Sequence, residues 1–218
     1  WIQLFNGSTL VGWRPPYSSW KVEGGHLKGK GTLIHDREFD NFHLRLEGKI
    51  ESQPEQHGNI FATGVFVRYT PIDSGVETGY RAAIRQDKAF TTGFWRRHHG
   101  FDELIQKDVE TLVPADQWFV MEVIAVGQKL TVKINNVTVA DTTDSHYARG
   151  RVALFTNDAQ VRFKTIEIKP LPLPSHVGPD GWVQLFNGKE THGLILGAWQ
   201  VDKKIGLLQG NGPGQTFV

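Results

Sequence analysis

The sequence predicts an all-β protein, a sandwich of two packed antiparallel sheets with at most one short helix. Three observations predict this class. About a dozen short apolar segments are separated by turn-forming residues along the chain. Several of them alternate between apolar and polar residues, as a strand with one buried face does. Glycine is abundant at 24 residues and aromatic residues reach 11%, which suits many turns and aromatic packing between sheets.

The composition narrows the classes of function. The sequence has no cysteine, so it forms no disulfide and no thiolate metal site, and the redox compartment stays undecided. The formal net charge is +1, which gives no general attraction to nucleic acid or to an anionic membrane. No apolar run approaches the roughly 20 residues that span a bilayer. We therefore expect no nucleic-acid partner and no direct membrane insertion.

The first clear strand is predicted over residues 42–50, where apolar and polar residues alternate. One face is apolar and the other is polar: Phe42, Leu44, Leu46 and Ile50 against His43, Arg45, Glu47 and Lys49. This is the pattern of a half-buried strand with one wet face. Residues 63–69 and 79–86 are predicted as the next strands.

The following strands are predicted from a covered segment and a hairpin. Residues 118–126 are apolar on both faces, which indicates a central, covered strand. Asn135-Asn136 predicts a tight turn between strands at 130–134 and 137–139.

Two strands close the domain, at residues 152–154 and 161–168. In the last of them the apolar phase slips from Val161 and Phe163 to Ile166 and Ile168. One extra residue near Lys164-Thr165 would produce this slip, so we expect a β-bulge there.

One segment has helical character. Within residues 101–112 the spacing of the apolar residues is roughly helical, and Asp102 is a candidate N-cap. A short helix and an ordered loop both stay open.

The opening of the sequence returns near its end. Three matches occur in the same order: residues 1–7 with 182–188, Trp20-x-Val22 with Trp199-x-Val201, and Leu27-x-Gly29 with Leu208-x-Gly210. The second copy has two extra residues before the last match. This order and spacing indicate an internal repeat.

Four prolines within residues 170–179 predict a stiff, extended linker. We therefore expect a domain over residues 1–170, a Pro-rich linker over 171–181 and the N-terminal strands of a second, incomplete copy over 182–218. Such a fragment cannot bury a core of its own. We favour a longer tandem parent protein; alternatively, order ends there, or the fragment packs on the first domain or on a neighbouring copy.

A series of short motifs runs through residues 1–170. They are Leu4-Phe5-Asn6-Gly7, Gly12-Trp13, Trp20-x-Val22, residues 41–47, residues 64–68, Gly79-Tyr80, residues 150–154 and residues 163–169. Each is weak alone, but in this order they resemble the 3-keto-disaccharide hydrolase domain family.

The resemblance implies a concanavalin A-like jelly roll whose concave sheet faces a sugar, in a secreted or periplasmic bacterial protein. Some members are linked to hydrolysis or elimination of 3-keto-glucosides. In the family a glutamate commonly follows the Gly-Tyr pair, and this sequence has Arg81 at that position. The family also commonly has a Leu-Gln-x-His run, and Asn157 stands at the position of its histidine. These departures remove two natural proton-transfer groups.

The predicted ligand-binding residues are mostly polar side chains of the strands that the resemblance assigns to the sugar face. They are His43, Arg45, Glu47, Arg68, Tyr80, Arg81, Arg85, Trp95 and Asn157. Trp95 would stack on a pyranose ring, and the arginines would donate to hydroxyls or to a carboxylated sugar. The alternative is an ordinary solvated sheet face.

The candidates for acid–base catalysis are Glu47, Asp87, His98 and His99. Glycoside hydrolysis commonly uses two carboxylates, and histidine titrates near neutral pH. Residues 94–99 are predicted as a loop that carries Trp95 and both histidines. Adjacent side chains of an extended segment point to opposite sides, so we predict no metal site at the histidines.

No cofactor is predicted. Asn157-Asp158 offers oxygen ligands on a late turn, so calcium stays an alternative to a plain Asx turn.

Three functions stay open. The leading hypothesis is a carbohydrate-binding module of degenerate enzyme ancestry within a larger multidomain bacterial protein. The second is an active hydrolase or lyase on 3-keto-glucosides. The third is a non-catalytic interaction or sensor module, of the kind appended to bacterial serine/threonine kinases. The resemblance implies an extracellular or periplasmic location, although the sequence shows no targeting segment.

Overall fold

The computed structural model describes residues 1–14, 19–51, 61–71, 77–86, 90–97, 101–108, 110–157, 159–172, 185–186, 189, 191 and 199–210. Over these residues it contains seventeen strands and one 3₁₀-helix. In chain order they are β1 (Ile2–Phe5), β2 (Trp13–Arg14), β3 (Lys21–Glu23), β4 (His26–Lys28), β5 (Gly31–Phe39), β6 (Phe42–Ile50), β7 (Phe61–Pro71), β8 (Glu77–Gln86), β9 (Phe90–Arg97), β10 (Phe101–Asp108), the 3₁₀-helix (Glu110–Leu112), β11 (Trp118–Val126), β12 (Lys129–Ile134), β13 (Val137–Thr143), β14 (Gly150–Asn157), β15 (Val161–Pro170), β16 (Trp199–Asp202) and β17 (Leu207–Gly210).

Fifteen of these described strands form two large antiparallel sheets. The eight-stranded sheet has the order β13-β12-β11-β6-β15-β4-β3, and β1 pairs with β15. The seven-stranded sheet has the order β10-β9-β8-β7-β14-β5-β2. The predicted all-β fold of two antiparallel sheets is confirmed.

The two sheets pack face to face over one hydrophobic core. Every second residue of β6 points inward and is fully buried, as Phe42, Leu44 and Leu46 are. Val65 and Val67 of β7 enter the same core from the other sheet. Each such side chain contributes about 1.5–3 kcal/mol when it is withdrawn from water, so this alternation fixes which face of each strand points outward.

Two local predictions are confirmed. Asn135 and Asn136 form the turn between β12 and β13, both with positive φ angles (48° and 66°), a conformation that asparagine tolerates better than most residues. The register of β15 against β6 shifts between Phe163 and Thr165, which is the expected bulge.

The segment with helical spacing is a strand. Residues 101–108 form β10, which pairs with β9, and only Glu110–Leu112 forms a 3₁₀-helix. The pairing shifts between Glu103 and Ile105, and both Leu104 and Ile105 pack against the core. A bulge puts neighbouring apolar residues on one side of a strand, so the apolar residues of this segment have a spacing like that of a helix.

The loop predicted over residues 94–99 is also a strand in its described part. Phe94–Arg97 belongs to β9, which pairs with β8 on one side and β10 on the other. The tertiary pairing of three long strands outweighs the local loop signal of Gly93.

Strands β16 and β17 form a separate hairpin with the pairing of β3 and β4. Gln200 opposes Gln209 and Val201 opposes Leu208, as Lys21 opposes Lys28 and Val22 opposes Leu27. The segments that match in sequence therefore pair in the same register in the two hairpins. The turn of the second is longer by two residues, which matches the insertion.

Candidate functional site

The predicted ligand residues divide between two surfaces. Each sheet has an outer face, directed away from the shared core. His43, Arg45 and Glu47 lie on the outer face of the eight-stranded sheet; Arg81, Arg85, Trp95 and Asn157 lie on that of the seven-stranded sheet. These faces are on opposite sides of the sandwich, so the single cleft that the sequence predicted for both groups is wrong.

The outer face of the seven-stranded sheet combines arginines with aromatic rings, and we call it the arginine–aromatic face. Its members are Phe66, Arg81, Arg85, Trp95, Phe155 and Asn157. Across the strands, Arg81 lies between Trp95 and Phe66. Two rows further along on the same face, Ala62 lies between Arg85 and Asn157. The pleat therefore assembles four of the predicted residues on one surface.

The rings of this face lie beneath the guanidinium groups. The guanidinium carbon of Arg81 is 4.0 Å from the centre of the Phe155 ring and 5.9 Å from that of Phe66. That of Arg85 is 5.8 Å from the Trp95 ring. The three rings are at most 5% exposed, whereas both arginines are half-buried. The buried rings thus lie under the guanidinium groups and restrict their movement.

Gly93 leaves space for the Trp95 ring on this face. A Cβ atom at Gly93 would lie 2.5 Å from Cη2 of Trp95, so the indole lies across the glycine. A side chain there would force the indole to move.

The outer face of the eight-stranded sheet is charged and internally paired. Glu122 Oε1 accepts a hydrogen bond from His43 Nε2 at 2.8 Å. Glu47 Oε2 lies 2.6 Å from Lys164 Nζ, and Arg45 donates from Nε and Nη2 to Glu167. The side chains of these pairs are between 12% and 44% exposed. Pairs near the surface contribute only about 0–1 kcal/mol each to stability.

A cavity of about 550 Å³ lies among these pairs. Its lining residues are Arg45, Glu47, Val120, Glu122, Asn135, Asn136, Thr165 and Glu167. The volume is within the range of small-ligand sites.

Two exposed tryptophans flank this charged face. Trp1 is 51% exposed, and its ring lies 5.0 Å from His43 and 4.8 Å from the guanidinium of Arg45. Trp118 is 36% exposed and has Lys164 Nζ 4.7 Å from its ring centre. Both rings therefore present apolar surface to solvent beside the charged side chains.

Arg68 and Tyr80, also predicted to bind ligand, point into the sandwich. Arg68 is 1% exposed and donates to the backbone carbonyls of Asp40 and Tyr147. Burial lowers its pKa. Tyr80 is fully buried, and its Oη donates to Asp144 Oδ1 at 2.6 Å. Burial and this hydrogen bond raise the pKa of Tyr80. Both side chains hold the segment before β14 in place and do not reach the arginine–aromatic face.

Four predicted residues lie outside the described part of the chain: Asp87, His98, His99 and Asp158. Within the described part, no cluster of three or more histidine, aspartate or glutamate side chains could hold a metal ion. In the same residues no helix is long and apolar enough to cross a membrane.

The sequence prediction missed Phe66, Phe155, Glu122 and Glu167. Residues 65–67 and 152–155 are apolar at successive positions, which signals a strand covered on both faces and could have revealed Phe66 and Phe155. Glu122 and Glu167 become partners of β6 only through strand pairing that joins residues far apart in the chain.

Two large antiparallel sheets with polar and aromatic outer faces define the class of this protein, a jelly-roll β-sandwich. Residues 1–169 match the model of the 3-keto-alpha-glucoside-1,2-lyase-like domain. The chain belongs to this family. A comparison with curated protein sequences gave no match.

Solved structures share this fold at low sequence identity. A putative glycosyl hydrolase from Parabacteroides distasonis is 17% identical, with a TM-score of 0.59 over 78% of this chain and 99% of that one. The carbohydrate-binding module CBM66 from Bacillus subtilis is 17% identical, with a TM-score of 0.58 over 72% and 95%. The carbohydrate recognition domain of Emp46p is 11% identical, with a TM-score of 0.58 over 75% and 91%. At these identities the likeness concerns the fold.

Proposed function

We propose that this chain is a carbohydrate-binding module that binds sugar on the arginine–aromatic face. One observation carries the proposal. Arg81 stands directly after the Gly-Tyr pair of the family motif, and its guanidinium carbon lies 4.0 Å from the centre of the buried Phe155 ring on the outer face. A guanidinium has five N–H donors, and a plane held by rings loses little freedom when it binds paired sugar oxygens. The family and the structures of similar fold support the same class of ligand.

We further propose that the face descends from an enzyme site and no longer catalyses. Arg81 and Asn157 stand where the family commonly has a glutamate and a histidine, and both lie on this face. Neither group can exchange a proton near neutral pH as those would. The alternative, an active lyase or hydrolase, is favoured by the family's name and would need another base. The sensor-module hypothesis stays a prediction.

A time course by NMR separates binding from catalysis. The full chain is incubated with glucosides and their 3-keto derivatives, and both sugar line widths and new sugar signals are followed. We expect broadening without products. New products would make the chain an enzyme, and neither broadening nor products at millimolar concentration would refute sugar binding on this face.

A matched pair of variants locates the binding face. Arg81→Ala should weaken sugar binding about tenfold or more, because a charged hydrogen bond contributes about 1.5–3 kcal/mol. Lys129→Ala is the control, since Lys129 is exposed and pairs with Asp141 on the eight-stranded sheet. Equal affinities of the two variants would exclude Arg81 from the site.

We also propose that residues 182–218 begin a second copy of the domain, after a linker over 171–181. The matching register of the two hairpins supports this. So does the packing of Trp199 over Gly210, which parallels that of Trp20 over Gly29. Gln128 Nε2 donates to Thr191 Oγ1 at 2.7 Å, so the segment contacts the first domain. A larger tandem protein located outside the cytoplasm would agree with the family.

A further inference from the structure

We propose that the outer face of the eight-stranded sheet is a second carbohydrate-binding surface, which takes a neutral oligosaccharide along β6 between Trp1 and Trp118. This site is separate from the arginine–aromatic face, because the two lie on opposite sides of the sandwich. It rests on its own observations: a cavity, two exposed rings and unused acceptors.

The rings are placed at the two ends of one strand. Trp1 contacts His43 and Arg45, while Trp118 lies opposite Lys49. From His43 to Lys49 the strand runs roughly 20 Å at about 3.3 Å per residue. A single sugar could reach one ring, and an oligosaccharide could reach both. An exposed indole offers the flat apolar surface on which the C–H face of a pyranose stacks.

The cavity between the rings supplies acceptors suited to hydroxyl groups. Glu47, Glu122 and Glu167 each use one carboxylate oxygen for their basic partner. In the described part of the chain the second oxygen of each makes no hydrogen bond. The side chains of Asn136 and Thr165 add amide and hydroxyl groups to the same cavity. Sugar hydroxyls can donate hydrogen bonds to these oxygens, and a few such polar groups fix the orientation of a ligand in its site.

The charge of the cavity favours a neutral ligand. Its lining contains three carboxylates and one guanidinium, and that guanidinium already pairs with Glu167, so the lining does not favour a carboxylated or sulfated sugar. Each carboxylate already has a basic neighbour, so the site has little need of a free cation. A neutral oligosaccharide carries no charge, so it needs neither an unpaired cation nor an unpaired carboxylate as its partner.

The test measures binding of neutral hexasaccharides to the full chain by tryptophan fluorescence and by calorimetry. The panel contains α- and β-linked glucans and fragments of xylan and galactan. We expect Trp118→Ala to weaken binding of the preferred hexasaccharide on the order of tenfold, because it removes one stacking ring. Glu47→Gln and Trp118→Phe should retain most of the affinity, since they keep an acceptor and a ring. Val11→Ala is the control, because Val11 is exposed and apolar and lies in the turn before β2 of the seven-stranded sheet.

Arg81→Ala separates the two sites. If Trp118→Ala binds the preferred hexasaccharide more weakly and Arg81→Ala binds it with the affinity of the native chain, the second surface is supported. Loss in Arg81→Ala with Trp118→Ala unchanged overturns it and leaves the first proposal intact. A titration of the whole panel that stays flat at millimolar concentration also overturns it. Melting temperatures of all variants are compared, and if Trp118→Ala does not fold, unchanged affinity in Glu47→Ala overturns the proposal.

Discussion

Tyr80 donates a hydrogen bond from its phenol to Asp144 Oδ1 at 2.6 Å, inside the sandwich. The same phenol oxygen accepts the backbone N–H of Tyr147 at 3.0 Å, and Asp144 also pairs with Arg96. Tyr80 follows the family glycine and was expected to bind ligand. Its position instead ties β8 to the segment that leads into β14.

Tyr80→Phe should lower stability without changing sugar binding. The substitution leaves the Tyr147 N–H without its acceptor and removes one of the donors to the Asp144 carboxylate, which is 11% exposed. A buried group that loses its hydrogen bond costs about 1–3 kcal/mol. Urea unfolding of the variant measures the loss, and a double-mutant cycle with Asp144→Asn assigns it to this pair. If stability were unchanged while sugar affinity fell, Tyr80 would belong to the ligand site.

Arg81→Glu should not create an enzyme. The new carboxylate would lie on the faces of Phe66 and Phe155, where the ring quadrupole is negative and water is scarce. Asn157 would still lack the imidazole of the family pattern. We expect lost binding, no turnover of 3-keto-glucosides and lower stability than in Arg81→Lys, the control that keeps the charge. Turnover in Arg81→Glu would show that the rest of a catalytic site is intact.

The fold was predictable because its signals are local. Residues 42–50 alternate between core and solvent, and Asn135-Asn136 marks a turn with positive φ angles. The site was not predictable to the same degree. Alternation tells that His43 and Arg81 both point outward, but it does not tell that their strands belong to different sheets. The pairing of Glu167 with Arg45 across 122 positions of sequence separation has no local signal either.

Gly29→Ala should destabilise the domain more than Gly210→Ala does. A Cβ at Gly29 would lie 2.5 Å from the backbone Cα of Trp20, so the hairpin itself would have to shift. A Cβ at Gly210 would lie 3.0 Å from the ring of Trp199, which can give way. Overpacking of a tight site costs about 1–3 kcal/mol. Thermal unfolding of both variants gives the comparison, and equal losses would mean that the two hairpins are packed alike.

Acid should destabilise the domain through His35. This side chain is 5% exposed and packs edge-on against Trp13, and its Nδ1 accepts the backbone N–H of Arg37 at 3.1 Å. Burial lowers the pKa of His35 from its ordinary value of 6.5, although the nearby Asp36 acts in the opposite direction. The unfolded chain therefore binds a proton more readily than the folded one.

The sign of the effect follows from that difference. Stability is fully present above pH 6.5, falls as the pH drops through 6.5 and levels off below the pKa of the folded state. Each unit of difference between the two pKa values costs about 1.4 kcal/mol at the acidic end. His35→Asn keeps an acceptor for the Arg37 N–H but does not titrate, so its free energy of unfolding should change less between pH 7 and pH 5, values chosen on either side of about 6.5. Urea unfolding at both pH values measures the two slopes. Parallel slopes in the native chain and the variant would assign the acid sensitivity to other groups.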